Sequence, residues 1–145
     1  MSIEPGLVGE MQITVQESDT ARFSSGERLP PVFSTPLVIC LLERTAHQTI
    51  LPHLAPDQGS VGAVVNIRHL AATPVGFNVR ARAEVLAVQG RRVRFKVEAW
   101  DDFELIAEGE HERYIIDMAR FIERVEKKRR DHKHTPHPAD TPALK

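Results

Sequence analysis

Three residues of types that support acid–base or nucleophilic chemistry occur close together in the chain: Thr35, Glu43 and His69. Glu43 lies inside the longest apolar segment, which reads LVICLLERTAHQTI. Burial in an apolar surround raises the pKa of a carboxylic acid, and a neighbouring imidazole favours its charged form. A carboxylate and an imidazole held together suit general acid–base or nucleophilic catalysis near neutral pH. We therefore treat these three residues as candidate catalytic residues.

The segment containing Thr35 and Pro36 predicts the start of a helix. Thr35 can cap the first free backbone N–H groups, and Pro36 fits the first helical position, where a missing N–H costs nothing. Every residue over 37–42 is apolar, which predicts a helix that is buried on all sides. The helix should end by Pro52.

The helix would place the candidate residues at different depths. Glu43 follows Thr35 by eight residues, or roughly 12 Å along a helix axis. Thr35 would then lie at the helix mouth, with Glu43 deeper, and His69 would end the first strand after the helix. The free N–H groups of Leu37 and Val38 would be candidate donors to an oxyanion, because proline has none.

The remaining sequence is mostly strand-like. Residues 18–33 contain serines, glycine and two prolines without periodicity, which predicts a loop long enough to cover a site. Residues 118–130 predict an amphipathic helix with a basic end, and the Pro- and His-rich residues 131–145 predict a disordered tail. Apolar and polar residues alternate with a period of two in the predicted strands, which span 8–17, 60–69, 77–88, 93–99 and 104–115.

This order of elements predicts an α+β fold with one domain over residues 1–130. A buried helix and a sheet of alternating strands cover each other if the sheet wraps around the helix. The expected architecture is the hot-dog fold, a curved antiparallel five-stranded sheet around a long buried helix, with a short C-terminal helix. Its exposed sheet edges favour pairing into a homodimer or homotetramer.

Composition points to a soluble cytoplasmic domain. The chain has 145 residues, 41% of them hydrophobic, and a net charge of −1, which gives no electrostatic case for binding nucleic acid or an anionic membrane. No apolar run approaches the ~20 residues of a membrane span, and the N-terminus lacks a signal-peptide pattern. The single cysteine, Cys40, excludes an internal disulfide. No metal site or cofactor is predicted.

The segments STPLVICLLERTA and GAVVNIRHLAATPVG carry Thr35, Glu43 and His69 at a spacing that resembles the fluoroacetyl-CoA thioesterase family of the hot-dog superfamily. The likeness extends over most of residues 5–128. The resemblance implies that these residues are the catalytic set for hydrolysing an acyl-CoA thioester. Glu43 would attack the carbonyl or activate a water, and His69 would protonate the CoA thiolate. A site near Gly62 would suit contact with the pantetheine or acyl group.

Each candidate residue also has a purely structural interpretation. Thr35 alone is a competent helix cap, Glu43 could mark where the helix meets water, and His69 could simply close a strand. Two other protein classes are possible on this fold: a non-catalytic module that binds acyl-CoA or a hydrophobic ligand, and a dehydratase. Asn66, where a dehydratase would need an aspartate before His69, counts against the dehydratase.

Other chemistry-bearing residues favour structural roles. Cys40 has apolar neighbours, which predicts an inert packed thiol. The tail histidines have no supporting ligand framework for a metal. A group of arginines makes one hairpin basic, and we interpret it as a solvated face in preference to a contact for CoA phosphates. The histidines are His132, His134 and His137, and the arginines are Arg80, Arg82, Arg91, Arg92 and Arg94.

Overall fold

A computed structural model describes residues 3–132 and 137–140. The chain also contains three short 3-10 helices, at Glu17–Asp19, Leu51–His53 and Pro138–Asp140. The strands are β1 (Val8–Thr14), β2 (Gln58–His69), β3 (Asn78–Gln89), β4 (Arg92–Trp100) and β5 (Leu105–Asp117), and the helices are α1 (Ala21–Ser25), α2 (Thr35–Ile50) and α3 (Met118–His132).

The five strands form one antiparallel sheet in the order β1-β3-β4-β5-β2, so β1 and β2 are its edges. Alternate residues of β3 and β4 point inwards and are fully buried. Helix α2 packs against this face and contacts all five strands. The predicted α+β architecture is confirmed.

Helix α2 is buried on one face and not on all sides as predicted. Its buried residues recur at helical spacing, whereas Cys40 is exposed. The sheet of a single chain covers only one side of a helix, so an apolar residue on the far side has no partner within the chain. The prediction of a packed Cys40 is therefore wrong. The buried residues are Val38, Leu41, Leu42, Thr45, Ala46, Thr49 and Ile50.

The segment predicted as a loop over 18–33 contains helical structure. Thr20 begins α1, because its hydroxyl accepts a hydrogen bond from the Phe23 N–H at 3.2 Å. The segment returns to the core at Phe33, which is 1% exposed and whose N–H donates to the Thr73 carbonyl at 2.9 Å. The missed signal was the threonine cap.

The arginines of the β3–β4 hairpin mostly form ion pairs with glutamates on the outer face of the sheet. Exposed pairs of this kind contribute about 0–1 kcal/mol each. The pairing agrees with a solvated face for four of the five arginines, Arg91 being the exception. The pairs are Arg80–Glu10 at 3.6 Å, Arg82–Glu84 at 3.2 Å, Arg92–Glu112 at 3.4 Å and Arg94–Glu110 at 3.3 Å.

Helix α3 has the predicted amphipathic pattern, but none of its residues is buried. It continues to His132, so residues 131 and 132 are helical and not part of a disordered tail. Positions 133–136 and 141–145, including His134, lie outside the described residues. Within the described ranges, no helix is both long and apolar enough to cross a membrane.

Candidate active site

Strand β2 lies beside α2 and brings Thr35 and His69 together. The Thr35 Oγ1 atom is 2.7 Å from His69 Nδ1. The helix starts one residue earlier than predicted, with Ser34 in the N-cap position and Thr35 in the first turn. The prediction that Thr35 caps the helix is therefore wrong, because its hydroxyl is engaged by the histidine that ends β2.

The shifted helix start also changes the predicted oxyanion donors. The N–H groups of Leu37 and Val38 both donate to the Ser34 carbonyl oxygen, at 3.1 and 2.9 Å. They are satisfied within the first turn and are not free as expected. The reason is that the N-cap carbonyl accepts the first intrahelical hydrogen bonds.

The imidazole of His69 is placed to remain neutral. Burial lowers the pKa of His69, and a hydrogen bond with the Ala71 backbone opposes that effect. Its Nε2 atom is buried and has no hydrogen-bond partner among the described residues. A neutral imidazole has one N–H donor and one acceptor nitrogen. If the Thr35 hydroxyl donates to Nδ1, Nε2 carries the ring hydrogen and can donate a hydrogen bond to a substrate.

Glu43 has a different partner from the one expected. Its Oε2 atom lies 3.5 Å from Nη1 of Arg113, whose side chain is 9% exposed, against 37% for the Glu43 side chain. The Arg113 guanidinium therefore stands beside the Glu43 side chain where an imidazole was predicted. Within the described chain, Glu43 forms no hydrogen bond or ion pair with Thr35 or His69. Thr35 and His69 therefore form one pair, and Glu43 lies apart from it, further along α2.

Gly62 allows the Glu43 carboxylate to approach β2. A Cβ atom at this position would lie 2.5 Å from Glu43 Oε2 and 3.3 Å from His111 Cε1. Real Cβ atoms essentially never lie as close as 2.5 Å to another heavy atom. The absence of a side chain at Gly62 therefore defines where the carboxylate lies.

Arg113 is held by neighbouring strands. Its Nε donates to Ser60 Oγ at 2.8 Å, and its Nη2 donates to the Ser60 carbonyl at 3.0 Å. Its Nη1 lies 3.1 Å from His111 Nε2. Since His111 Nδ1 lies 2.8 Å from the Val64 carbonyl, Nδ1 carries the hydrogen and Nε2 accepts from the guanidinium. Burial is the main cause that lowers the pKa of His111, in agreement with a neutral ring.

His47 of α2 also belongs to this network, through its contact with Ser60. Ser60 Oγ accepts from Arg113, so its hydroxyl hydrogen is directed to His47 Nδ1 at 2.7 Å. Burial, with a smaller contribution from the Arg113 charge, lowers the pKa of His47. His47 and Glu43 are four residues apart and share one face of the helix. The Glu43 carboxylate is thus held by Arg113 of β5, whose guanidinium is fixed by Ser60 of β2.

Sequence reasoning missed this network. His111 and Arg113 are one alternation apart on β5, so two polar side chains face the core together. A buried cation needs a charged or hydrogen-bonding partner, and this would have pointed to Glu43. The missed residues are His47, Ser60, His111 and Arg113.

The same fold occurs in a solved member of the thioesterase superfamily. A thioesterase superfamily member from Thermus thermophilus matches with a TM-score of 0.86 and 27% identity, covering 92% of this chain and 98% of its own. The fold and its thioesterase relatives place the chain among the hot-dog thioester hydrolases.

A family profile for fluoroacetyl-CoA-specific thioesterase, FlK, matches residues 15–119. The fluoroacetyl-CoA thioesterase of Streptantibioticus cattleyicolor is 37% identical over 99 residues, covering 68% of this chain and 71% of the relative. A solved mutant of the fluoroacetyl-CoA-specific thioesterase, in complex with fluoroacetate and CoA, is 32% identical with a TM-score of 0.78, covering 82% and 99% of the two chains. The chain belongs to the fluoroacetyl-CoA-specific thioesterase family, which confirms the predicted resemblance.

Proposed function

We propose that the protein hydrolyses a small acyl-CoA thioester to the free acid and CoA, using Thr35, Glu43 and His69. The observation that carries this proposal is the 2.7 Å contact between Thr35 and His69. Thr35 lies on the same helix as Glu43, whose carboxylate is held by Arg113. The two fluoroacetyl-CoA thioesterases named above are described by that substrate, which supports an acyl-CoA as the substrate class.

In the general-base route, Glu43 takes a proton from water and the resulting hydroxide attacks the thioester carbonyl. The Nε2–H of His69 stabilises the developing charge by hydrogen bonding, and the Thr35 hydroxyl, which donates to Nδ1, fixes the tautomer that carries this hydrogen. The C–S bond then breaks, and the sulfur takes the proton held by Glu43 to leave as a thiol. In the nucleophilic route, Glu43 attacks the carbonyl directly, the C–S bond breaks and CoA leaves as a thiolate. Water then hydrolyses the mixed anhydride to the free acid and Glu43, and the proton released protonates the thiolate.

The direct test follows thiol release from acetyl-, haloacetyl-, branched and aromatic acyl-CoAs. We expect release with at least one acyl group. Binding of CoA without release from any of them would favour the alternative function, a non-catalytic module that binds acyl-CoA or a hydrophobic ligand.

The pH dependence should report the neutral state of His69. Because burial lowers the pKa of His69 from 6.5, the active neutral form should persist through pH 7 and be lost only below 6.5. We expect kcat/KM to be flat above that value and to fall about tenfold per pH unit once the ring is protonated. The residual activity of a His69→Asn variant should not show this fall in kcat/KM at low pH. A limb centred above pH 6.5 that depends on His69 would contradict the assignment.

We also propose assembly into a homodimer or homotetramer. The free edge of β2 exposes Val64 and Val65, at 43% and 44%, and the uncovered face of α2 exposes Cys40. A second copy pairing at this edge would complete the sheet and cover apolar surface. The cytoplasm, with its reducing conditions, suits the exposed thiol.

A further inference from the structure

A groove of about 580 Å³ lies between α3 and the end of the sheet. Three arginines line it: Arg91 from the turn between β3 and β4, and Arg120 and Arg124 from α3. The groove also contains Val61 of β2 and the rings of Tyr114 and Phe121. It is separate from the contacts that hold Glu43 and His69.

The three arginines lack carboxylate partners. Within the part of the chain that the structure describes, no ion pair is formed by Arg91, Arg120 or Arg124, in contrast to the other four arginines of the hairpin. Asp117 also lines the groove, and its Oδ1 accepts the backbone N–H of Arg120 at 3.0 Å. The formal charge remains positive, and unpaired guanidinium groups that converge on one groove favour an anion, phosphate above all.

The aromatic residues add a second type of contact. The Arg124 guanidinium lies 5.9 Å from the centroid of the Phe121 ring, within the range of a cation–π interaction. Tyr114 is 43% exposed at the same groove. Aromatic rings beside arginines suit a nucleotide, because the base stacks on a ring while the phosphates meet the cations.

We propose that this groove binds the phosphorylated adenosine end of CoA, an inference that rests on the proposed acyl-CoA substrate. Val61 lines the groove, and the next residue, Gly62, lies against the Glu43 carboxylate. Gln58 is the first residue of β2, and the pantetheine arm would pass the sheet edge there, away from Val64 and Val65, where a second copy would pair. The arginines then hold the nucleotide while the thioester reaches Glu43.

The test replaces Arg91, Arg120 and Arg124 together by glutamine. Calorimetry would measure binding of adenosine 3′,5′-bisphosphate, and thiol release would give kcat and KM for acetyl-CoA and acetyl-pantetheine. We expect affinity for the bisphosphate to fall by at least about tenfold and KM for acetyl-CoA to rise similarly, with kcat unchanged. Turnover of acetyl-pantetheine, which lacks the nucleotide, should be the same in both proteins.

Arg94→Gln is the matched control, because Arg94 is an arginine of the same hairpin that is paired with Glu110 at 3.3 Å. It should alter bisphosphate binding less than about twofold. Unchanged binding in the triple variant would overturn the groove assignment without affecting the thioesterase proposal. Inorganic phosphate binding as tightly as the bisphosphate would also overturn it. CoA binding that needs the arginines but gives no thiol release would support the groove and refute the proposed reaction.

Discussion

Replacing Glu43 by glutamine should lower kcat for acyl-CoA hydrolysis by about 100-fold or more, the range expected when a general base or nucleophile is removed. Glutamine has nearly the same shape as glutamate and can still accept a hydrogen bond from Arg113. It can neither take a proton from water nor attack a carbonyl. Thiol release from the best acyl-CoA measures the effect.

A second glutamate provides the control for this substitution. Glu110 pairs with Arg94 on the outer face of the sheet, at 3.3 Å, and Glu110→Gln should leave turnover intact. The Glu43 substitution removes the charged partner of the buried Arg113. Thermal unfolding of both variants would therefore show whether it disturbs the fold. Retention of more than about a tenth of the wild-type kcat by a folded Glu43→Gln protein contradicts a catalytic role.

Replacing Gly62 by alanine should lower kcat/KM by about 100-fold while the protein stays folded, because a displacement near 1 Å at a reacting group costs about this much. The new Cβ would lie 2.5 Å from Glu43 Oε2, at the far end of a flexible side chain. The carboxylate can therefore move aside at small cost in folding free energy, but it leaves its position beside Arg113. The backbone N–H at residue 62 is kept, so the loss would report the carboxylate.

Gly59 offers a control on the same strand. A Cβ at Gly59 would lie 2.8 Å from Cε of Met118, the flexible end of another side chain, in α3. Gly59→Ala should therefore be tolerated similarly in folding and should retain activity. Equal activity in the two alanine variants would show that the close approach at Gly62 has no catalytic importance.

Most of the fold follows from local patterns. The period of two in β3 and β4 and the amphipathic pattern of α3 each depend on residues near in sequence. The exact start of α2 does not, since Ser34 and Thr35 can both act as an N-cap. The choice is made by His69, which engages the Thr35 hydroxyl from a strand distant in sequence.

The ion-pair partner of Glu43 could not be predicted from local sequence. Arg113 faces the core of the sheet, where an isolated cation would be unfavourable. Its position becomes stable because Glu43, Ser60 and His111 all meet it there. These residues come from α2, β2 and β5, and no spacing within one element predicts their convergence. The exposure of Cys40 was missed for a related reason, because it depends on which side of α2 the sheet covers.

The hydrogen bonds around Arg113 have a consequence for which substitutions in α2 the Glu43 carboxylate can tolerate. The sheet, through Ser60 and His111, fixes the direction of the guanidinium and hence of the acid. Side chains on the uncovered face of α2, such as Cys40, take no part in that support. Substitutions on the exposed face of α2 should therefore leave the Glu43 carboxylate in its place beside Arg113.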